Sequence, residues 1–156
     1  MINILRIDTE GEALNTIRQL FRDYETELEE NLCFQSFEAE LKDPLKKYAL
    51  PRGALFLAYY NNEPAGCIAL HELNEDECEM KRLYVRPAFR KNKIAQALVD
   101  KLLLHAKTQR FKMMKLDTLQ KLQPAIRLYE QFGFEETTAY YENPLPTVVY
   151  MEKKLV

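Results

Sequence analysis

The sequence predicts an α/β protein with a mixed central sheet of about six to seven strands flanked by about four helices. Segments with strand character and segments with helical periodicity alternate along the chain, and a basic turn joins the strand that ends at Pro87 to a strongly apolar helix. A length of 156 residues, 47% of them hydrophobic, suffices for a core without disulfides or metal. With no repeat and no long linker, we expect one domain over residues 1–156.

The first third of the chain predicts a strand, a helix and a less regular region. A short strand covers Ile2 to Ile7, and the Asp8-Thr9-Glu10 stretch offers helix-start side chains. The amphipathic helix that follows is defined by apolar residues at spacings of three and four, which are Leu14, Ile17, Phe21, Tyr24 and Leu28. A weaker helix covers about Phe34 to Lys42, and the state of Leu45 to Leu50 stays undecided between two proline-containing loops.

Three antiparallel strands are predicted next. Ala54 to Tyr60 and Pro64 to Leu73 form a hairpin around Asn61-Asn62, because asparagine tolerates positive φ. An acidic turn over Asn74 to Glu77 leads into a strand from Glu79 that ends at Pro87.

The second half predicts a helix from about Lys93 to Arg110 that crosses to a strand over Lys112 to Thr118, parallel to the Glu79 strand. Gln123-Pro124 opens a last short helix, and Gly133 ends it as a C-cap glycine. Strands beginning at Phe134 and spanning Thr147 to Leu155 complete the chain.

The turn into the apolar helix is strongly basic. Six basic residues lie within the turn or just ahead of it, and no acid occurs between Glu79 and Asp100. The six are Lys81, Arg82, Arg86, Arg90, Lys91 and Lys93. The first N–H groups of a helix lack intrahelical partners and attract anions, so the turn predicts a phosphate site, the alternative being a solvated basic helix start. Because the net charge of the chain is −2, a small anionic ligand is favoured over nucleic acid.

The cysteine pattern and the N-terminus indicate a cytoplasmic protein. Cys33, Cys67 and Cys78 are odd in number, form no Cys-x-x-Cys pair and lie in no metal-ligand spacing with histidine, so we expect free thiols and no metal. No apolar run approaches the length of a membrane span or a secretory signal.

Several segments resemble the GNAT acetyltransferase superfamily. Arg90-Lys91-Asn92-Lys93-Ile94-Ala95 is similar to the family's Arg/Gln-x-x-Gly-x-Gly/Ala signature, with Lys93 in place of glycine, and residues 79–87 and 125–134 resemble family segments in the same order. The nearest likeness is to an uncharacterised bacterial subgroup of the family. It rests on Cys33-Phe34-Gln35, Leu116-Asp117-Thr118-Leu119 and Tyr140-Tyr141-Glu142-Asn143-Pro144.

The resemblance implies a GNAT-type fold and transfer of an acetyl or short acyl group from acetyl-coenzyme A to an amine, without a metal. It implies that the backbone of Leu83, Tyr84 and Val85 pairs with the pantetheine arm. It also implies that the pyrophosphate is held by Arg90 and by the amides of Lys91, Asn92, Lys93, Ile94 and Ala95.

The catalytic predictions also depend on the resemblance. Tyr129 is expected to protonate the coenzyme A sulfur, although its helical spacing alone, without the resemblance, favours a core tyrosine with a hydrogen-bonded hydroxyl. Glu79 is the expected base, with Glu72 and Tyr141 as weaker alternatives, whereas His71 looks isolated and His105 lacks a nearby acid or serine.

The acceptor is predicted only in outline, as a small-molecule or peptide amine. Tyr141 and Asn143 are expected to face it, the alternative being an ordinary turn anchored by tyrosines. A non-catalytic acyl-coenzyme A sensor or a protein-interaction domain is the rival to an enzyme. A nucleic-acid or membrane partner is not expected, and a homodimer stays open.

Overall fold

The computed structural model describes residues 1–32, 35–49 and 51–156. Its seven strands are β1 (Ile2–Arg6), β2 (Ala54–Tyr60), β3 (Glu63–Glu72), β4 (Glu77–Val85), β5 (Met113–Leu119), β6 (Glu135–Glu136) and β7 (Val148–Lys154). Its helices are α1 (Glu12–Leu28), α2 (Phe37–Lys42), α3 (Pro44–Lys47), α4 (Ile94–Thr108) and α5 (Gln123–Gln131), and a 3-10 turn covers Pro87–Phe89. The strands form one sheet in the order β1-β2-β3-β4-β5-β7-β6.

The sheet carries a hydrophobic core on each face. On one face, α4 and α5 pack against the sheet through Leu98, Leu102 and Leu128. On the other face, α1 and α2 pack through Ile17 and Phe37. Burying apolar side chains on both faces accounts for the nearly continuous apolar run of β2.

The sheet divides between β4 and β5. These two strands are parallel and pair over only three positions, the last of which joins Glu79 to Lys115. Beyond it β4 stays with β3 as far as Val85, whereas β5 stays with β7 as far as Leu119. The edge of β4 that faces β5 is therefore open over its second half.

The predicted mixed sheet and the parallel strand after α4 are confirmed. Asn61 and Asn62 form the hairpin turn at φ 49° and 70°, and Gly133 follows α5 at φ 92°. The start of α1 differs from the prediction, because its N-cap is Gly11 and no side chain of the Asp8-Thr9-Glu10 stretch caps it.

The segment between α1 and β2 also differs in detail. The second helix begins at Phe37, and the one-turn helix α3 extends into the undecided region, which brings the helices of the described residues to five. Cys33, Phe34 and Leu50 lie outside the described residues, so the predictions that involve them stay predictions. Within the described ranges, no helix combines the length and apolar character needed to cross a membrane.

Candidate functional site

The basic turn before α4 presents a row of unused backbone donors. Phe89 and Arg90 donate their amides within the 3-10 turn, and the next amide with a backbone partner is that of Ala97, which bonds the Lys93 carbonyl at 3.2 Å. Among the described residues, the amides of positions 91–96 have no hydrogen-bond acceptor. Free donors at the positive end of a helix dipole form an anion site.

A cavity of about 190 Å³, the helix-start cavity, lies at these amides. It is lined by Val85, Phe89, Arg90, Lys91, Lys93, Ile94, Ala95 and Gln96. The Arg90 guanidinium bonds the Val85 carbonyl at 2.9 Å and the Glu27 carboxylate at 2.5 Å. Asn92 donates to the Phe89 carbonyl at 2.9 Å, so its side chain shapes the turn. The predicted phosphate residues therefore lie together.

Lys93 stands where the signature of the resembled family has glycine, and the backbone conformation of Lys93 explains why glycine is preferred at this position. Lys93 is the N-cap of α4 at φ 61° and ψ 26°, which is the left-handed region. That conformation costs a residue with a Cβ about 1–2 kcal/mol, whereas glycine adopts it freely. The chain keeps the backbone course of a glycine turn and places an exposed ammonium beside the cavity.

We expect Lys93→Gly to raise the free energy of unfolding of the ligand-free protein by about 0.5–1 kcal/mol, because it relieves the left-handed strain. If the cavity binds the coenzyme A that the sequence resemblance implies, we expect the substitution also to weaken that binding a few-fold at low salt, and less at 0.5 M salt, since it removes a cation from the cavity. Urea denaturation and calorimetric titration measure the two effects. Lys93→Ala is the matched control and should weaken binding equally without stabilising the fold; an unchanged affinity in both variants would contradict a phosphate contact.

A β-bulge shapes the open half of β4. Cys67 pairs with Tyr84 and Ala69 with Lys81, so Arg82 and Leu83 of β4 face the single residue Ile68 of β3. Arg82 adopts φ 62°, and its buried guanidinium bonds Glu40 of α2 through Nε at 2.8 Å and through Nη2 at 2.9 Å. The bulge thereby fixes the course of β4 beside the opening.

The space between the diverging strands, the β4–β5 cleft, contains Tyr129 of α5. The cleft is lined by Tyr24, Leu28, Leu32, Gln35, Met80, Lys81, Arg82, Leu83, Leu116, Asp117, Thr118, Leu119, Leu122, Ala125, Tyr129, Asn143 and Leu145. The Tyr129 hydroxyl has no hydrogen-bond partner among the described residues. Every fully buried side-chain nitrogen or oxygen of those residues has a partner, so this hydroxyl is not fully buried and contacts the cleft that Tyr129 lines. Burial, then the charges of Tyr24 and Asp117, raise the pKa of Tyr129, so it is a proton donor at neutral pH.

Glu79 lies at the point where the sheet divides and is almost fully buried. Its Oε1 lies 3.2 Å from His71 Nδ1, and its Oε2 accepts from the Tyr140 hydroxyl at 2.6 Å. Burial would raise the pKa of this carboxyl, but the hydrogen bond from His71, the charge of Lys81 and the hydrogen bond from Tyr140 outweigh it and lower the pKa to about 2. A carboxylate that holds a proton so weakly is poorly suited to be the base predicted from the sequence.

Asp117 on β5 lies two residues beyond Lys115, the last β5 residue that pairs with β4, so it stands where the sheet divides. Its Oδ2 accepts hydrogen bonds from the Tyr141 hydroxyl and from Asn143 Nδ2, the latter at 2.7 Å. The Tyr141 hydroxyl also accepts from Gln35 Nε2 at 3.0 Å. Asp117 Oδ1 has no hydrogen bond among the described residues and belongs to the lining of the cleft. Tyr141 and Asn143, predicted to face an acceptor, therefore hold this carboxylate in place.

A second cavity of about 300 Å³, the tyrosine cavity, adjoins the cleft. It is lined by Gln35, Ser36, Lys47, His71, Leu73, Glu79, Lys81, Tyr140 and Tyr141. Gln35 and Lys81 line both spaces, so they form the wall between them.

His71 was predicted to be isolated, and this is wrong. It pairs with Glu79 in the β3–β4 register and lines the tyrosine cavity. A hairpin centred on residues 74–76 places position 71 opposite position 79, so the predicted turn already indicated that His71 lies next to Glu79. Lys81, Asp117 and Tyr140 were also missed as site residues, since their proximity depends on β5 and on the segment before β7. Glu72, a weaker alternative base, instead bonds Arg52 at 2.6 Å.

Among the described residues, no group of three or more His, Cys, Asp or Glu side chains could hold a metal ion. Cys67 and Cys78 are buried free thiols, and burial raises the pKa of Cys78 to about 12, so this thiol stays protonated.

A mixed sheet that divides beside a helix N-terminus, with a proton donor in the opening, has the architecture of an N-acyltransferase. The family model described as "Acetyltransferase (GNAT) family" matches residues 14–134. An uncharacterised N-acetyltransferase of Schizosaccharomyces pombe is 40% identical over 144 residues, which cover 91% of this chain and 88% of the relative. This chain therefore belongs to the GNAT acetyltransferase family and is an acetyltransferase, as the sequence predicted.

Solved structures support the same fold. An acetyltransferase from Streptococcus agalactiae superposes with a TM-score of 0.80 at 21% identity and covers 98% of both chains. A GNAT family acetyltransferase from Elizabethkingia anophelis, solved with acetyl-CoA bound, superposes with a TM-score of 0.69 at 23% identity, covering 98% of this chain and 97% of that one.

Proposed function

We propose that this acetyltransferase takes its acetyl group from acetyl-coenzyme A and transfers it to an amine by direct attack in a ternary complex. The observation that carries the proposal is the row of amides at positions 91–96 that find no acceptor within the described ranges and lie beside a basic cavity. Such a site matches a pyrophosphate in charge and in hydrogen-bond donors.

The open edge of β4 supports a place for the pantetheine arm. Past Glu79 this edge has no strand partner, so its backbone groups can bond an extended chain as a further strand would. It leads from the helix-start cavity at Val85 to the cleft at Leu83. The thioester would then lie near Tyr129, whose hydroxyl can donate a proton to the departing thiolate.

The attacking amine must lose a proton, and the contacts favour Asp117 over Glu79 as its partner. Both oxygens of Glu79 already accept hydrogen bonds, whereas Asp117 Oδ1 accepts none from the described residues, and Asp117 lines the same cleft as Tyr129. The amine nitrogen attacks the thioester carbon and the carbon–sulfur bond breaks. The amine proton passes to Asp117 or through it to solvent, and Tyr129 protonates the sulfur.

Thermal melts with acetyl-coenzyme A test the proposal. At a hundred times the dissociation constant the ligand adds about 2.7 kcal/mol, which raises the midpoint by about 5–11 °C at this chain length. Acetyl-pantetheine lacks the pyrophosphate and nucleotide, so at the same concentration it should give a much smaller shift.

Release of free thiol on addition of amines then tests transfer itself. A shift with acetyl-coenzyme A but no thiol release across a broad amine panel would support the rival, a non-catalytic sensor. Equal shifts with acetyl-coenzyme A and acetyl-pantetheine would contradict the phosphate site.

A further inference from the structure

We infer that the amine acceptor also carries a carboxylate, which Lys81 binds at the wall between the tyrosine cavity and the β4–β5 cleft. The inference rests on the proposed function and adds the chemical class of the acceptor. Lys81 is a buried cation with few partners, positioned where both spaces can reach it.

The contacts of Lys81 leave hydrogen-bonding capacity unused. Its side chain is only 5% exposed, yet its Nζ has one long hydrogen bond, to Gln35 Oε1 at 3.4 Å, and lies 3.8 Å from Glu79 Oε2. An ammonium group has three N–H donors, and a buried charge is costly unless its donors are satisfied. Burial above all lowers the pKa of Lys81 to about 8, so the group still carries its proton at pH 7.

The other charges of the tyrosine cavity also favour an anion. Lys47, whose Nζ also bonds Glu40 Oε1 at 3.2 Å, lines it with Lys81, and Glu79 is the only acid among the described residues of its lining. Both oxygens of Glu79 are already bonded, to His71 and to Tyr140. The cavity thus presents spare donors beside a carboxylate whose two oxygens each already accept a hydrogen bond, and a polyamine or a simple alkylamine would leave those donors unpaired.

The ammonium end of the acceptor has a partner of its own. Asp117 lines the adjoining cleft together with Tyr129 and Lys81, and its Oδ1 accepts no hydrogen bond from the part of the chain that the structure describes. An acceptor that carries both groups would place its amine at Asp117, near the thioester, and its carboxylate at Lys81. An acceptor that lacks the carboxylate would leave the charge of Lys81 unsatisfied. The site should therefore discriminate strongly against such acceptors.

The test compares matched pairs of acceptors. The panel contains α-, β- and γ-amino acids, the corresponding amino amides and the decarboxylated amines, with thiol release from acetyl-coenzyme A as the readout. We expect kcat/KM at least tenfold higher for the acids than for their amides. Lys81→Met should bring that ratio close to one, mainly through KM, while Lys81→Arg should retain part of it.

Lys107→Met is the control, because Lys107 is exposed on α4 and lines none of these spaces. It should leave the ratio unchanged. Each variant is first checked for the melting shift with acetyl-coenzyme A, so that a loss of fold or of cofactor binding is recognised separately. Products offer a second measurement, in which N-acetyl amino acids, but not N-acetyl amino amides, should raise the midpoint with coenzyme A present.

The outcomes distinguish the two proposals. Failure of acetyl-coenzyme A to shift the melt contradicts the proposed function. Turnover of neutral or polycationic amines at rates equal to the acids, or a preference for acids that survives in Lys81→Met, overturns the carboxylate site alone. The carboxylate site is also overturned if a protein that binds the cofactor shows neither a preference for amino acids in turnover nor a melting shift specific to N-acetyl amino acids.

Discussion

Replacing Tyr129 by phenylalanine is expected to lower kcat by about a hundredfold or more while leaving acetyl-coenzyme A affinity nearly unchanged. General acid catalysis contributes about 10²–10⁴ in rate, and the only group removed is a hydroxyl that reaches the cleft without a hydrogen-bond partner among the described residues. The ring keeps its edge contact with Phe134 at a centroid distance of 6.0 Å, so the fold should persist. Steady-state thiol release and cofactor titration measure the two quantities.

Tyr59→Phe is the matched control, since Tyr59 lies in β2 and lines none of the three spaces. It should leave kcat unchanged. If Tyr129→Phe is as active as the wild type, the thiolate takes its proton from solvent and Tyr129 is simply a core residue. A large fall in kcat accompanied by an equal loss of cofactor affinity would instead indicate that the hydroxyl helps to bind the thioester arm.

The sequence predicted the fold well because its signals are local. The hairpin turn depends on Asn61-Asn62, the end of α5 on Gly133, and the helix α4 on its apolar periodicity. Residues close along the chain determine these features. The residues predicted to bind phosphate lie together for the same reason, since the basic turn is one continuous segment that the structure places around one cavity.

The acceptor side was only partly predictable, because it is assembled from distant parts of the chain. Gln35, Lys81 and Asp117 meet only after β4 and β5 have paired and diverged, and nothing in the spacing of three residues so far apart indicates contact. The β-bulge at Arg82 adds a second difficulty. It shifts the alternation of β4, and because both faces of this strand are covered, Lys81 and Arg82 are both buried.

The buried ion pair between Arg82 and Glu40 is where the largest loss of stability is expected. Glu40→Gln keeps the shape of the side chain but leaves a guanidinium that is only 3% exposed without its carboxylate, and breaking such a pair typically costs about 3–5 kcal/mol. At about 2–4 °C per kcal/mol, the melting midpoint should fall by about 6–20 °C. Urea denaturation at pH 7 measures the change directly.

Acid should remove the same stabilisation from the wild type. Burial would raise the pKa of Glu40, but the hydrogen bonds and charge of Arg82, with smaller effects from Lys47 and Tyr48, lower it to about 2. A lowered pKa in the folded state contributes stability above the ordinary value of 4.5, and that contribution is lost as the pH falls from about 4.5 towards 2. The difference between wild type and Glu40→Gln should therefore be full at pH 7 and shrink steadily below pH 4.5.

Glu10→Gln provides the comparison that separates the effect of burial on an ion pair from the effect of the ion pair itself. Glu10 forms the same kind of bond, with Arg18 at 2.8 Å, but its side chain is 65% exposed, so solvent screens the pair and its loss should change stability little at any pH. Equal effects of the two substitutions would mean that water reaches Arg82 in solution and that the anchor between α2 and the bulge of β4 is weaker than its geometry indicates. A large effect confined to Glu40 would establish that this pair holds the helix and the strand together beside the acceptor site.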